Sequence, residues 1–259
     1  MSSAKHTLNV LGSAAASSAS AWYGTDARHR QRKPQPEKPI TLYDIENCPY
    51  CRLVRMALCE LNLDVNIRPC PEGGTIWRKE AERRGGKQLY PLLVDSNTKT
   101  VMYESADIVA YLFNTYLGNV PSRWSPKAIR MLLKGSMATS MLRGRKGLVV
   151  KPNRQPGTPL TLYSFESSPF ARPVRERLSE LEIPYKLINL GKERLLDYGP
   201  ADRSWLLGKE YAPRKDGKRD RMQQAHGHIA SPYLIDPNQA IEMAESEAIM
   251  AYLDKTYGA

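Results

Sequence analysis

The chain contains an internal duplication, and this feature constrains its fold more than any other. Three pairs of segments match along the 259 residues: 39–55 with 159–175, 90–95 with 231–236, and 104–112 with 245–253. The first pair is offset by 120 residues and the other two by 141, so the second copy carries 21 additional residues. The basic stretch 208–228 is the simplest place for them. Self-similarity on this scale predicts two tandem units of related structure.

Each copy follows one order of predicted elements: strand, helix, strand, variable helix, two strands and a final helix. In the first copy, residues 40–43 form a short apolar strand, and apolar side chains recur at helical spacing over residues 53–61. The Gly85-Gly86 pair ends the variable helix, a hairpin turns at Ser96-Asn97, and Ser105 caps the final helix. The sequence therefore predicts an α/β fold of two tandem thioredoxin-like domains, each with a four-stranded mixed sheet and flanking helices.

These matches divide the chain into four predicted parts, 1–38, 39–117, 118–158 and 159–259. The first part is basic and rich in Ser and Ala, and we expect a flexible or weakly helical tail. A positively charged start before a mild apolar stretch also fits a secretory signal or an organelle transit peptide. No apolar run approaches the roughly 18 residues that a membrane span requires.

The predicted linker 118–158 contains nine Lys or Arg residues and no Asp or Glu. Ser125-Pro126 starts a predicted amphipathic helix with an apolar face of Ile129, Leu132, Leu133, Met137 and Met141 and a basic face of Lys127, Arg130 and Lys134. We expect this helix to pack between the domains, with a membrane-surface helix as the alternative. The basic stretches 118–158 and 208–228 offer a surface to an acidic partner. Because no aromatic-rich nucleic-acid motif accompanies them, nucleic-acid binding is disfavoured.

All four cysteines lie within 23 residues, which is atypical of a secreted disulfide scaffold. The four histidines are distant in sequence, so we predict no metal site. Cys48-Pro49-Tyr50-Cys51 lies between a strand and a helix start, where unpaired N–H groups stabilise a thiolate. Cys48 is the predicted nucleophile, and Cys51 resolves the mixed disulfide. Cys59 is a predicted core residue, and Cys70 is predicted to be a small buried residue, with a further redox partner as the alternative.

The clustered cysteines indicate redox chemistry in a reducing compartment. The predicted location is the cytoplasm, and the alternative is an organelle stroma or matrix after removal of the N-terminal segment.

The Cys48-Pro49-Tyr50-Cys51 motif resembles the active site of dithiol glutaredoxins, and both copies resemble the N-terminal domain of glutathione transferases. The duplicated pattern is similar to that of tandem glutathione S-transferase N-terminal-domain proteins, without the all-helical C-terminal domain of transferases. The resemblance implies a cis Pro91 and a glutathione site formed by Tyr50, Tyr90, Pro91, Glu104 and Ser105. Glutaredoxins commonly carry a Lys before the first Cys. This chain has Asp44 and Glu46 there, which would raise the pKa of Cys48, while Arg52 and Arg55 compensate.

The second copy lacks the two thiols, because Ser168 and Ala171 stand in the places of Cys48 and Cys51. Its candidate glutathione site consists of Ser168, Ser231, Pro232, Glu245 and Ser246. We expect weak or no glutathione binding there, and Pro232 is predicted to be cis.

The predicted function is that of a glutathione-dependent thiol–disulfide oxidoreductase. Its co-substrate is glutathione, and its partners are disulfide-bearing or glutathionylated proteins. The alternatives are a transferase-like enzyme and a non-catalytic glutathione-binding or scaffold module.

Overall fold

The computed structural model of the protein describes residues 3–27, 29, 33–198 and 211–259. The first half contains α1 (Ser3–Ala19), β1 (Ile40–Asp44), α2 (Pro49–Glu60), β2 (Val65–Pro69), α3 (Trp77–Gly85), β3 (Leu92–Asp95), β4 (Thr100–Met102) and α4 (Ser105–Tyr116). The second half contains α5 (Pro126–Arg143), β5 (Leu160–Ser164), α6 (Ala171–Glu180), β6 (Tyr185–Asn189), α7 (Lys218–His226), β7 (Tyr233–Asp236), β8 (Ile241–Ala244) and α8 (Ser246–Tyr257). Two short 3₁₀ helices lie at Ser122–Trp124 and Leu195–Asp197.

In the described residues, eight strands form one mixed sheet in the order β4-β3-β1-β2-β6-β5-β7-β8. Within each half, the first two strands are parallel, and the third pairs antiparallel with both the first and the fourth. The halves meet where β2 pairs antiparallel with β6, in a register that places Val65 opposite Leu187 and Ile67 opposite Tyr185. The sequence predicted a four-stranded sheet in each copy, and it did not predict that the two would join. Pairing of β2 with β6 removes two exposed strand edges.

A shared hydrophobic core follows from this continuous sheet. Residues of the first half, such as Leu42 and Leu58, belong to the same buried cluster as Leu162 and Leu178 of the second half. The sheet and the core therefore hold the two copies together as one packed body.

The N-terminal segment was expected to be a flexible or weakly helical tail; part of it is helical, but the helix is packed against other helices instead of forming a tail. Residues 3–19 form α1, which packs against α5 and α6 and buries His6, Ser13, Ala16 and Ser17. The contact is very close, because a Cβ atom added at Gly135 of α5 would lie 2.8 Å from the Ala19 carbonyl oxygen. Small side chains make such an approach possible, so the Ser- and Ala-rich composition serves helix packing here.

The buried face of α5 also differs from the prediction. Leu132 is buried, but so are Ser136, Thr139 and Arg143, whereas Met141 is 82% exposed. Ser136 faces α2, where its Oγ donates to the Pro49 carbonyl at 2.8 Å, and Thr139 faces α1, where its Oγ1 donates to the Ala16 carbonyl at 2.7 Å. Close packing against α1 and α2 therefore selected small residues over the large apolar ones that the periodicity predicted.

The two helices α1 and α5 occupy equivalent positions in the two halves. Ser17 Oγ donates to the Ser167 carbonyl at 2.8 Å, and Ser140 Oγ donates to the Asn47 carbonyl at 2.7 Å. Ser167 and Asn47 are themselves equivalent, since they precede Ser168 and Cys48. The duplicated unit therefore includes a leading helix, which the sequence comparison had missed.

The structure also places the 21-residue insertion at a different position from the one predicted from the sequence. Helix α7 is equivalent to α3, because both are followed by a left-handed glycine, Gly86 with φ 82° and Gly227 with φ 75°. The additional residues therefore lie between β6 and α7, in 190–217, instead of at 208–228. Of the predicted stretch, residues 208–210 lie outside the described residues.

Within the described parts of the chain, no helix combines the length and the apolar character needed to cross a membrane.

Candidate functional site

The two cysteines of the first half lie at the start of α2. Cys48 is the N-cap residue with extended backbone, Pro49 occupies the first turn, and Cys48 Sγ accepts the Cys51 backbone N–H at an N···S distance of 3.4 Å. Cys48 is partly exposed, whereas Cys51 is buried. This arrangement leaves one thiol accessible and places the other directly behind it.

The electrostatic environment shifts the pKa values of the two thiols in opposite directions. A hydrogen bond from the Cys51 side chain lowers the pKa of Cys48 to about 7, against the effect of burial, and the N–H groups of Cys51 and Tyr50 and the charge of Arg55 contribute in the same direction. Burial raises the pKa of Cys51 well above its ordinary value, and the hydrogen bond to Cys48 adds to this. Cys48 is therefore the thiol that ionises near neutral pH.

The other two cysteines are buried and remain protonated. Burial raises the pKa of Cys59 to about 12 and raises that of Cys70 as well. Cys59 Sγ donates to the Gly24 carbonyl at 3.0 Å.

Asp44 and Glu46 do not act on Cys48 as free acids, because both lie in a buried ion-pair network between the halves. Arg55 pairs with Asp44 of its own half, and its Nε lies 2.9 Å from Glu166 Oε2 of the other half. Reciprocally, Arg175 Nε lies 3.1 Å from Glu46 Oε1. As expected, the charge of Arg55 lowers the pKa of Cys48. The sequence did not indicate that Glu166 and Arg175 of the other half belong to the same ion-pair network.

A sequence signal for this network was available. Glu46 and Glu166 match at an offset of 120, as do Arg55 and Arg175, so each copy has a Glu two residues before its centre and an Arg seven residues after it. Nothing in the sequence showed that each pair forms across the two halves. That exchange follows from the pairing of β2 with β6.

The residues predicted to bind glutathione in the first half lie at three places: the start of α2, the loop before β3 and the start of α4. Tyr50 is 44% exposed beside Cys48, and the Tyr90–Pro91 bond is cis, which confirms that prediction. Ser105 is the first residue of α4, and Glu104, rather than Ser105, takes the N-cap position without a side-chain capping bond. Ser105 therefore does not cap the helix as predicted.

The glutamate before this helix has an unusual backbone in both copies. Glu104 has φ 64° and ψ 107°, and Glu245 has φ 69° and ψ 112°. A non-glycine residue in such a region costs about 1–3 kcal/mol and tends to mark a functional site.

The candidate residues of the second half come together around a cavity of about 930 Å³, which Ser168, Ser231, Pro232, Glu245 and Ser246 all line. The Ser231–Pro232 bond is cis, as predicted. Ser168 Oγ accepts the Ala171 N–H at 3.3 Å, which reproduces the geometry of Cys48. The cavity therefore lies at the position of the second copy that corresponds to the thiol centre.

Sequence reasoning missed most of the other residues of this cavity. Its further lining includes Trp22, Thr25, Phe165, Phe170, Tyr211 and Arg219. Trp22 comes from the segment that was expected to be a tail, and no pattern in the sequence pointed to it. Phe170 matches Tyr50 in the repeat. This match was the sequence signal that could have placed Phe170 beside Ser168.

A family model described as "Glutathione S-transferase, N-terminal domain" matches the chain twice, over residues 42–119 and 162–259. The chain belongs to this family. One match contains Cys48, and the other contains the residues from Ser168 to Ser246 that line the cavity. Helices α1 and α5 lie outside both matches.

Among solved structures, one similar protein is described as "Leishmania TDR1 - a unique trimeric glutathione transferase". It is 14% identical, with a TM-score of 0.28, over 86% of this chain and 68% of that chain. No curated protein matches the sequence.

Proposed function

We propose that the protein is a glutathione-dependent thiol–disulfide oxidoreductase made of two tandem glutathione S-transferase N-terminal domains without an all-helical transferase domain. The observation that carries this proposal is the partly exposed Cys48 thiol, with its pKa lowered to about 7, in front of the buried Cys51 thiol. A thiolate at neutral pH is the nucleophile in disulfide exchange.

The reaction begins when the Cys48 thiolate attacks one sulfur of a substrate disulfide. The S–S bond breaks, Cys48 forms a mixed disulfide, and the other half of the substrate leaves as a thiolate. Cys51 then loses its proton to that thiolate or to solvent and attacks the Cys48 sulfur, which releases the second half. Two glutathione molecules reduce the resulting Cys48–Cys51 disulfide and become oxidised glutathione.

A second route serves glutathionylated proteins. The Cys48 thiolate attacks the glutathione sulfur, the S–S bond to the protein breaks, and the protein leaves as a thiolate. A second glutathione, as its thiolate, then attacks the Cys48–glutathione disulfide without help from Cys51 and releases oxidised glutathione and the Cys48 thiolate. In this model Tyr50, Tyr90 and Pro91 hold the cysteinyl part of glutathione, and Glu104 and Ser105 hold its γ-glutamyl end. The N–H groups at the start of α4 suit a carboxylate.

The surroundings of Cys48 favour a large substrate. Cys48 does not line the cavity of the second half, and its neighbour Tyr50 is exposed. An open position of this kind admits a disulfide carried by a protein. The clustering of all four cysteines within 23 residues fits a reducing compartment such as the cytoplasm or an organelle stroma or matrix.

The test is glutathione-dependent reduction of a glutathionylated peptide by the full chain. Cys48→Ser should abolish the activity, whereas Cys51→Ser should retain the route through a second glutathione. Cys59→Ser is the matched control and should keep full activity, because Cys59 is buried and protonated. Undiminished activity in Cys48→Ser would exclude the proposal.

A second candidate function is a transferase-like reaction in the second half, and the cavity around Ser168 is the observation that favours it. In this alternative, Ser168 Oγ donates a hydrogen bond to the thiolate of a bound glutathione. Calorimetry with glutathione on the Cys48→Ser chain tests it. Tight binding that is lost in Ser168→Ala, together with conjugating activity, would place the transferase reaction above the oxidoreductase one.

A third, non-catalytic candidate is the docking of an acidic partner on the basic surface of α5. Arg143 forms a buried ion pair with Glu176, whereas Lys127, Arg130 and Lys134 are exposed. Binding to an acidic peptide that falls steeply with added salt, and falls further when these three residues are replaced by Gln, would support it.

A further inference from the structure

Helices α1 and α5 form an outer helix layer of the molecule. They run antiparallel, because Thr139 Oγ1 donates to the Ala16 carbonyl at 2.7 Å and Arg143 Nη1 donates to the Asn9 carbonyl at 3.1 Å. One side of this layer rests on α2 and α6, and the other side faces solvent. The helices have 17 and 18 residues, so each is about 25 Å long and the solvent side of the layer is broad.

The solvent side of the outer helix layer carries large apolar side chains. In α1, the residues Ala4, Leu8, Leu11 and Ala15 recur at helical spacing, and all four are exposed. Five large apolar side chains of the two helices are between 57% and 82% exposed: Leu8, Leu11, Met131, Met141 and Leu142. Single exposed apolar residues are common on soluble proteins, whereas a group of them on one surface marks an interaction site.

The same two helices are basic. The sequence has no Asp or Glu in residues 1–25 or 118–158, so neither helix carries an acidic side chain. Their exposed cations are Lys5, Lys127, Arg130 and Lys134. Because like charges repel, a second copy of this chain is disfavoured as the partner of this surface, and an anionic partner is favoured.

The combination of cations and aliphatic side chains distinguishes between the two kinds of anionic partner. An acidic protein accounts for the exposed Lys and Arg residues alone. An anionic lipid bilayer accounts for both features, because Leu and Met side chains enter the boundary between headgroups and acyl chains while Lys and Arg reach the lipid phosphates. Helices of this kind lie in the plane of the membrane surface and do not cross it.

We propose that the solvent side of α1 and α5 docks the protein on the surface of an anionic lipid bilayer. Leu8 and Leu11 of α1 and Met141 of α5 insert between the headgroups, and Lys127, Arg130 and Lys134 pair with the phosphates. The inference is independent of the thiol chemistry proposed for Cys48. It competes with the acidic-partner candidate, which uses the same cations of α5.

The experiment measures cosedimentation of the full chain with two kinds of vesicle: phosphatidylcholine alone, and an equimolar mixture of phosphatidylcholine and phosphatidylserine. Binding should require phosphatidylserine and should fall with added salt. Joint replacement of Lys127, Arg130 and Lys134 by Gln should weaken it about a hundredfold, at about fivefold for each charge near the bilayer. The double variant Leu8→Ser, Leu11→Ser should weaken it about tenfold or more, because apolar area no longer enters the bilayer.

The matched control replaces three exposed cations outside the outer helix layer, Lys79, Arg83 and Lys87, by Gln. It removes the same charge and should keep nearly full affinity for the vesicles. Thermal unfolding shows that each variant remains folded, and reduction of a glutathionylated peptide should be equal in all of them.

Four results would overturn the proposal. Equal binding to both kinds of vesicle would remove the role of the lipid charge. An equal loss in the control would assign binding to the net charge of +11 instead of to this surface. Unchanged binding in the Leu8→Ser, Leu11→Ser variant would leave a surface that reads charge alone, as an acidic protein partner requires. Dimerisation of the full chain that is lost in the same variant would assign the surface to a second copy.

Discussion

Replacing Cys51 by Ala should raise the pKa of Cys48, because the Cys51 side chain makes the largest favourable contribution to the Cys48 thiolate. A hydrogen bond to a charged group contributes about 1.5–3 kcal/mol. At 1.36 kcal/mol for each pKa unit, its loss corresponds to a rise of about 1–2 units.

The consequence for reactivity can be worked out from these values. With a pKa of about 7, about half of Cys48 is thiolate at pH 7. A rise of about 1–2 units leaves roughly 1–10% thiolate, so alkylation at pH 7 should slow roughly five- to fiftyfold. Well above pH 9 the thiol is ionised in both proteins, and the two rates should converge.

The assay is the rate of alkylation by iodoacetamide against pH on the fully reduced chain, with Cys48→Ala as the blank. Cys51→Ser is the matched control, because its hydroxyl can still donate to Cys48 and should keep the midpoint near 7. A midpoint that stays near 7 in Cys51→Ala would refute the reasoning and assign the stabilisation to the N–H groups at the start of α2. Equal midpoints in the Ser and Ala variants, both raised, would show that the side-chain donor is not the cause.

Other predictions concern stability, measured by chemical denaturation of the full chain. Glu166→Gln should lower the free energy of unfolding by about 3–5 kcal/mol, because it leaves Arg55 and Arg175 buried with less countercharge. Burial alone would raise the pKa of Glu166, but the charges of Arg175 and Arg55 outweigh it and lower that pKa to about 2. This carboxylate therefore stabilises the fold fully above about pH 4.5, and its contribution should be lost as pH falls toward 2, a loss that Glu166→Gln should not show. Gly135→Ala should cost about 1–3 kcal/mol, because its Cβ would meet the Ala19 carbonyl, whereas Lys134→Ala on the exposed face should be nearly neutral. A neutral Gly135→Ala would contradict the close packing of α1 on α5.

The elements of each copy could be predicted because their signals are local. The strand at Ile40, the turn glycine Gly86 and the cis bonds before Pro91 and Pro232 all follow from residues near them in sequence or from the family resemblance. The packing of α1 could not be predicted, because its buried face consists of His6 and small Ser and Ala residues, a composition that also suits a flexible or weakly helical tail. The joining of β2 to β6 was equally hidden, since each strand alone has the alternating pattern of any half-buried strand.

The candidate site was predictable only in its chemistry. The spacing of Cys48 and Cys51 placed them at a helix start. The ion pairs near them, however, involve residues more than 100 positions away, such as Glu166 and Arg175. The cavity in the second half surrounds residues that were predicted as a candidate site, but its aromatic lining was not predicted, because Trp22 comes from a distant segment of the chain.

The reciprocal ion pairs make the surroundings of Cys48 and Cys51 dependent on both halves. Without residues 159–259, Arg55 would lose Glu166 and Glu46 would lose Arg175, and β2 would become an exposed strand edge. Each unpaired group would then have to be hydrated or neutralised, which changes the field that acts on Cys48. The thiol-free copy therefore contributes to the thiol centre through its charges and its sheet edge, whatever it binds in its own cavity. For this reason, measurements of Cys48 reactivity describe the natural centre only when they are made on the whole chain.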